Sequence, residues 1–365
     1  MEKAIPILFI TALPFFVWGD TILQGQVNGL IFLTFFAAVM FIPNPWLKLL
    51  GLIATGWLGY AYSMSFVFHY SSEPTINAAL LIFLGVLVYL FIIYQGRVFK
   101  KIETKYWMNT ICISALIQAS IGLCQFLGFD PMSAAVSNVI NVRFNAGSSP
   151  SVGVTGNQNF LGAYLAISSI FFFRPPFNDF GGCKIHPKQL AFALIGGVLL
   201  MTKANTAIAA ASVGLCWHFF GLAGVLAAII PAAAYMQITD AAIWDGRHGF
   251  WEADRFQFWM DATNKIRFAP PSTFLFGYGP GTTWQAGNQL HSEYFATLFH
   301  YGTVGLAFMI TYIKTSYRGH KILFTALIIS CVNMIGNHPL HVLTTAILII
   351  TIIALNEREK MEVLT

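Results

Sequence analysis

The chain has 365 residues, of which 56% are hydrophobic and only 10% charged, against about 25% charged in an ordinary soluble domain. A water-soluble fold cannot hide that much apolar surface, so the composition excludes a soluble globular class and predicts an all-α integral membrane protein. The formal net charge of +5 comes from basic residues split among loops without a continuous stripe, so no nucleic-acid partner is expected.

The apolar residues fall into blocks of about bilayer-spanning length, separated by Gly, Pro, Asn and charged punctuation. In chain order the predicted spans are 4–18, 22–42, 47–68, 76–95, 106–129, 160–173, 190–202, 207–220, 221–238, 294–313, 322–336 and 342–355, twelve helices in all. The first follows Met-Glu-Lys and lacks a small-x-small cleavage site, so it reads as a retained span and not a signal peptide.

Orientation follows from Lys and Arg, which are enriched in short cytoplasmic loops. With the N-terminus inside, fourteen of the 20 basic residues fall on the cytoplasmic side, among them Arg97, Lys105, Lys314, Lys321, Arg358 and Lys360. The other six, Arg143, Lys203, Arg247, Arg255, Lys265 and Arg267, fall outside. Fusing 207–238 into one long helix abolishes the bias downstream, so two spans meeting at 220/221 are preferred. Both termini are then cytoplasmic. Two outer loops stand out, 130–159 and the longest, 239–293, which precedes the tenth span.

The five cysteines are scattered and form no C-x-x-C pair, which points to neither a disulfide framework nor a metal site. Glu252 and Asp254 stand at i, i+2 and do not share a helix face. No metal and no cofactor are expected.

The chemistry lies in the outer loops. Arg143 precedes a Gly/Ser/Pro stretch that leads to Thr155-Gly156-Asn157-Gln158-Asn159, where Asn157 or Asn159 is placed to cap the sixth span. A helix N-terminus beside an arginine can hold phosphate, although an ordinary cap accounts for this segment taken alone. In the large loop, Arg247 and Arg255 each precede a Trp by four residues, one helical turn. Such a helix can lie on the membrane with its aromatics toward lipid, or its arginines can clamp a lipid-linked diphosphate with bidentate guanidinium geometry. Gly277-Tyr278-Gly279-Pro280-Gly281 is a tight turn that leads to His291-Ser292-Glu293 at the mouth of the tenth span. Alone, His291 reads as a polar helix entrance. His338 and His341 flank Pro339-Leu340, where a Pro-terminated helix suffices as explanation.

The order of these segments is similar to that of the O-antigen ligase and polymerase superfamily. The resemblance rests on Gly156-Asn157-Gln158-Asn159-Phe160-Leu161-Gly162, Arg255-x-x-x-Trp259, Phe276-Gly277-Tyr278-Gly279-Pro280-Gly281, and His291-Ser292-Glu293-Tyr294 followed by Leu298, Gly302 and Gly305-Leu306. It covers 143–312. It implies a metal-independent glycosyltransferase of the bacterial inner membrane, with a large periplasmic loop before the tenth helix. The donor would be a polyprenyl diphosphate-linked glycan, and the acceptor a hydroxyl on lipid A core, on a growing glycan or on a protein. His291 and Arg255 match the family's catalytic His and loop Arg; Arg143, Asn157, Asn159, Lys203 and Arg247 are the expected substrate-binding residues. In Met201-Thr202-Lys203-Ala204-Asn205-Thr206-Ala207 the family's Arg position holds Asn205. Lys203 replaces that Arg only if the helix has already ended, because two helical residues are about 200° apart. A multispan transporter or flippase for lipid-linked sugars is the rival class; it would place ionisable groups at the bilayer midplane, whereas here nearly all lie in loops or at span ends.

Overall fold

The computed structural model describes residues 85, 88–94, 102–129, 153, 158–173, 187–243, 253–279, 292–315, 320–336, 340 and 343–364. The described residues are 91% helical and contain no strand. The long helices are α1 (Thr104–Phe126), α2 (Gln158–Ser169), α3 (Pro187–Met201) and α4 (Asn205–Ile243). They are followed by α5 (Ala253–Arg267), the short α6 (Pro271–Phe276), α7 (Glu293–Thr315), α8 (Lys321–Gly336) and α9 (Leu343–Leu364). A 3₁₀ turn, Ile170–Phe173, continues α2. The predicted spans 4–18, 22–42 and 47–68 lie outside the described residues.

Among the described residues, two helical stretches are long and apolar enough to cross a membrane, Thr104–Phe126 and Asn205–Ala227; Gln158–Phe173, Gln189–Met201 and Lys321–Gly336 are shorter apolar helices. Trp107, Ile111, Leu161, Tyr164, Leu165, Ile195, Ile329 and Leu348 belong to one buried core. Inside it a hydrogen bond of 2.7 Å joins the hydroxyls of Ser114 and Tyr164. Bonding between polar groups is what an apolar interior demands.

Glycines set the helix ends and breaks. Gly128 (φ 87) ends α1 in a Schellman turn, with Phe129 N–H donating to Cys124 O at 2.9 Å and Gly128 N–H to Gln125 O at 3.0 Å. Gly221 (φ 63, ψ −148) interrupts α4. A Cβ on Gly224 would come within 2.6 Å of the Cys216 carbonyl oxygen, although eight residues of straight helix span about 12 Å. The chain therefore doubles back at Gly221, at the 220/221 boundary expected from the charge bias. The straight first arm has about 16 residues and rises about 24 Å.

The packing sorts the helix ends into two sets. At one end, Arg358 of α9 donates from Nη2 to Thr104 Oγ1 of α1 at 2.7 Å, and Thr104 also bonds Glu359. Phe173 packs edge-on against Phe192 and Phe219 there, and Trp217 against Phe324. At the other end, Gln125 of α1 holds both backbone groups of Gly153, the first turns of α2 meet the α3–α4 turn at Gly162, and α8 ends against Thr206 at Gly336. These pairs join residues that the charge bias assigned to the same side.

The helix of the tenth span, α7, breaks at Gly302 (φ 67, ψ −169). That of the last span, α9, extends past 355 to Leu364. Arg358 lies in this extension and is 4% exposed, its guanidinium bonded to the Thr104 hydroxyl of α1.

Candidate active site

The mouth of α7 is docked onto α8 by consecutive residues. Ser292 Oγ donates to Met334 O at 3.4 Å, and Tyr294 OH to Cys331 O at 3.0 Å. Met334 is in the last turn of α8, where helical partners run out, and Cys331 is about one turn earlier. Glu293 is 2% exposed, and its Oε2 accepts from Leu340 N–H at 3.1 Å, tying the α8–α9 connection to the start of α7. A carboxylate in the first turn also complements the helix dipole. The sequence displayed Glu293 beside His291 but assigned it no role. Its burial shows only once α8 is folded against it.

The glycine-rich turn is the partner of the break in α7. Tyr278 N–H donates to Phe299 O at 2.9 Å and Gly279 N–H to His300 O at 3.0 Å. In an unbroken helix those carbonyls would serve α7 itself. The break at Gly302 frees them, and the turn after α6 takes them up. The Tyr278 ring stacks on Phe299 with centroids 4.8 Å apart, and its hydroxyl donates to Lys265 O at 3.1 Å. One tyrosine thus joins α5, the turn and α7.

α5 lies against the same helix. Ala262 and Ile266 pack with Ala296 and Phe299, and Trp259 stacks on Phe295 at 5.1 Å with an interplanar angle of 14°. The expected membrane-surface helix with its aromatics in lipid is corrected at Trp259, whose ring is taken by protein. Arg255 is in α5, four residues before Trp259. Phe295 is in the first turn of α7, four residues after His291.

Lys203 sits in the turn between α3 and α4. α3 ends at Met201, and Thr202 Oγ1 donates to Leu199 O at 2.6 Å and accepts from Ala204 N–H at 3.3 Å. Lys203 follows at φ 54, the one non-glycine in the left-handed region among the described residues. It is exposed. The condition for Lys203 to stand in for an Arg at Asn205 is therefore met, since the helix has ended. Asn205 is exposed at the first position of α4. The turn sits against α2, where a Cβ on Gly162 would meet the Cβ of Ala204 at 2.6 Å and Thr202 Oγ1 at 3.2 Å.

Asn159 lies inside α2, half-buried, so it is not the cap; that position falls to a residue upstream. Arg143, Asn157, Arg247 and His291, with His338 and His341, lie outside the described residues, and of Arg255 only the backbone is described. Among the described residues no cluster of His, Cys, Asp or Glu has metal-binding geometry. Sequence reasoning missed Glu293 and the pairing of Gly277 with Gly302, although both glycines were in the quoted motifs. Compared with protein-family models and with curated proteins, the chain matches none.

Proposed function

We propose that this chain is a multispan inner-membrane glycosyltransferase with both termini cytoplasmic, working at the periplasmic face. It moves a glycan from a polyprenyl diphosphate carrier to an acceptor hydroxyl, as an O-antigen ligase with lipid A core as acceptor. Polymerisation of the glycan and transfer to a protein are variants of the same chemistry. The observation that carries the reading is the Trp259–Phe295 stack, which brings the helix bearing Arg255 to the first turn of α7, directly after His291. Segments far apart in sequence, each weak alone, pack together there.

In the proposed reaction a neutral His291 takes the acceptor proton, which its ordinary pKa near 6.5 permits at neutral pH. The acceptor oxygen bonds to the anomeric carbon as the bond to the diphosphate oxygen breaks. The carrier leaves as a diphosphate, and the growing negative charge is met by preorganised cations, Arg255 and Lys203 first among them. The described ionisable groups favour this over transport. Buried Glu293 and Arg358 are both engaged at helix ends, not exposed to a path through the middle.

The test is transfer by the purified protein from a defined polyprenyl diphosphate-linked glycan to defined acceptors, with EDTA present. Replacing His291 by Ala should lower transfer by roughly 10²–10⁴-fold, the scale for losing a positioned base. Undiminished transfer by that variant would remove His291 from the chemistry, and loss of all activity on chelation would overturn the metal-free reaction.

A further inference from the structure

The corner between α5 and α6 has a surface that the proposed transfer does not use. α5 is polar on its outer side, with Asp261, Thr263, Asn264, Lys265 and Arg267 all exposed. An apolar side chain left in water at such a place is informative. Phe268 is 79% exposed, and Phe274 and Leu275 on α6 are 41% and 42% exposed. Arg267 lies over the Phe268 ring, 5.7 Å from its centroid. Asp261 stands one turn before Lys265 on this side, and no further Asp or Glu occurs before Glu293, so Lys265 and Arg267 leave the segment with one net positive charge.

The corner is also held rigidly. Tyr278 OH grips the Lys265 carbonyl, Ile266 is buried against α7, and Thr303 Oγ1 donates to Phe274 O at 3.3 Å. A preorganised surface loses little entropy on docking.

We infer that this corner is a docking surface for an anionic bilayer face, with Phe268, Phe274 and Leu275 entering the headgroup–acyl boundary and Lys265 and Arg267 pairing with phosphate headgroups. Adjacent apolar and basic groups suit that boundary, which offers hydrocarbon below and negative charge above. A basic residue at such a surface contributes on the order of fivefold in partition, which is the scale expected for the one net positive charge here. The inference rests on the membrane assignment proposed above, and it fixes the depth of α5 and α6: at the interface, with the outer side of α5 facing lipid headgroups and its inner side on α7.

The test is hydrogen exchange of amides 265–279 in the whole protein, reconstituted in nanodiscs of phosphatidylcholine alone or with about one third phosphatidylglycerol. Exchange should be several-fold slower in the anionic discs, and the difference should shrink at high salt as screening sets in. The double change Lys265→Gln, Arg267→Gln should bring the rate in both discs to that of the unchanged protein in phosphatidylcholine alone, whereas Phe268→Ser should speed exchange in both. Amides of α1 and α8 serve as the folding control and should not move. Equal exchange in the two discs, or a difference that survives charge removal, overturns the inference. So does protection of the corner that needs an added soluble protein. A protein that stays in solution without detergent and enters no disc would instead defeat the membrane assignment, a result distinct from either.

Discussion

Gly277 and Gly302 meet backbone to backbone, each at positive φ, 80° and 67°. A Cβ on Gly302 would meet Gly277 N at 2.6 Å and the Leu275 carbonyl closer still; one on Gly277 would run into the His300 carbonyl. Neither neighbour is a flexible side chain that can step aside. With ψ of −178° and −169° both glycines lie in a region open essentially to glycine alone, which adds a penalty of about 1–3 kcal/mol for any L residue. Gly277→Ala and Gly302→Ala should therefore each lower the melting temperature of the detergent-solubilised protein and loosen α6 from α7. Gly196 on α3, with nothing within 4 Å of its added Cβ, is the control. Gly196→Ala should be neutral or stabilising by up to about 1 kcal/mol, since Ala favours a helix. Equal melting of all three variants would contradict the close approach.

Lys203 separates stability from charge. A glycine is preferred where a helix ends in the left-handed conformation, so Lys203→Gly should stabilise the fold by about 1 kcal/mol. The same change removes a cation expected to meet the departing diphosphate, so transfer should fall even as melting temperature rises. A rise in both would show that Lys203 serves only to end α3.

Arg255 and Trp259 should differ in kind. Arg255→Ala should weaken donor binding and transfer together, because the charge acts on the bound diphosphate and on its departure. Arg255→Lys should restore little if two parallel hydrogen bonds are required. Trp259 acts through position: Trp259→Phe should retain transfer by keeping an aromatic on Phe295, whereas Trp259→Ala should lower kcat by misplacing α5. Kinetics on the purified variants distinguish the two, and a Trp259→Phe protein as impaired as Trp259→Ala would deny the stack its positioning role.

The Arg358–Thr104 bond joins α9 to α1 across 254 positions. A hydrogen bond to a charged group contributes about 1.5–3 kcal/mol, and a buried guanidinium that loses its acceptor is costly. Thr104→Val should thus destabilise more than a surface Thr change. In a double-mutant cycle with Arg358→Met the two losses should not add. Additive losses would mean that the residues do not interact.

The sequence by itself marked the all-helical class of this protein, because apolar block length is a local sum that can be read without knowing the packing. It also marked the turn at Gly221, since the charge bias counts helices by parity and a fused 207–238 breaks the count. It identified Gly277 and Gly302 as motif positions without revealing that they touch. Contact between residues 25 positions apart depends on how α7 bends, and only the folded chain shows the broken helix lending its carbonyls to the turn. The burial of Arg358 and Glu293 was likewise invisible, because their neighbours, Thr104 and Leu340, lie 254 and 47 positions away. Lys203 shows the division most clearly. Its suitability as a substitute for an Arg at Asn205 turned on whether α3 had ended, a question of one backbone dihedral that helix propensity leaves open and that tertiary packing against Gly162 accompanies.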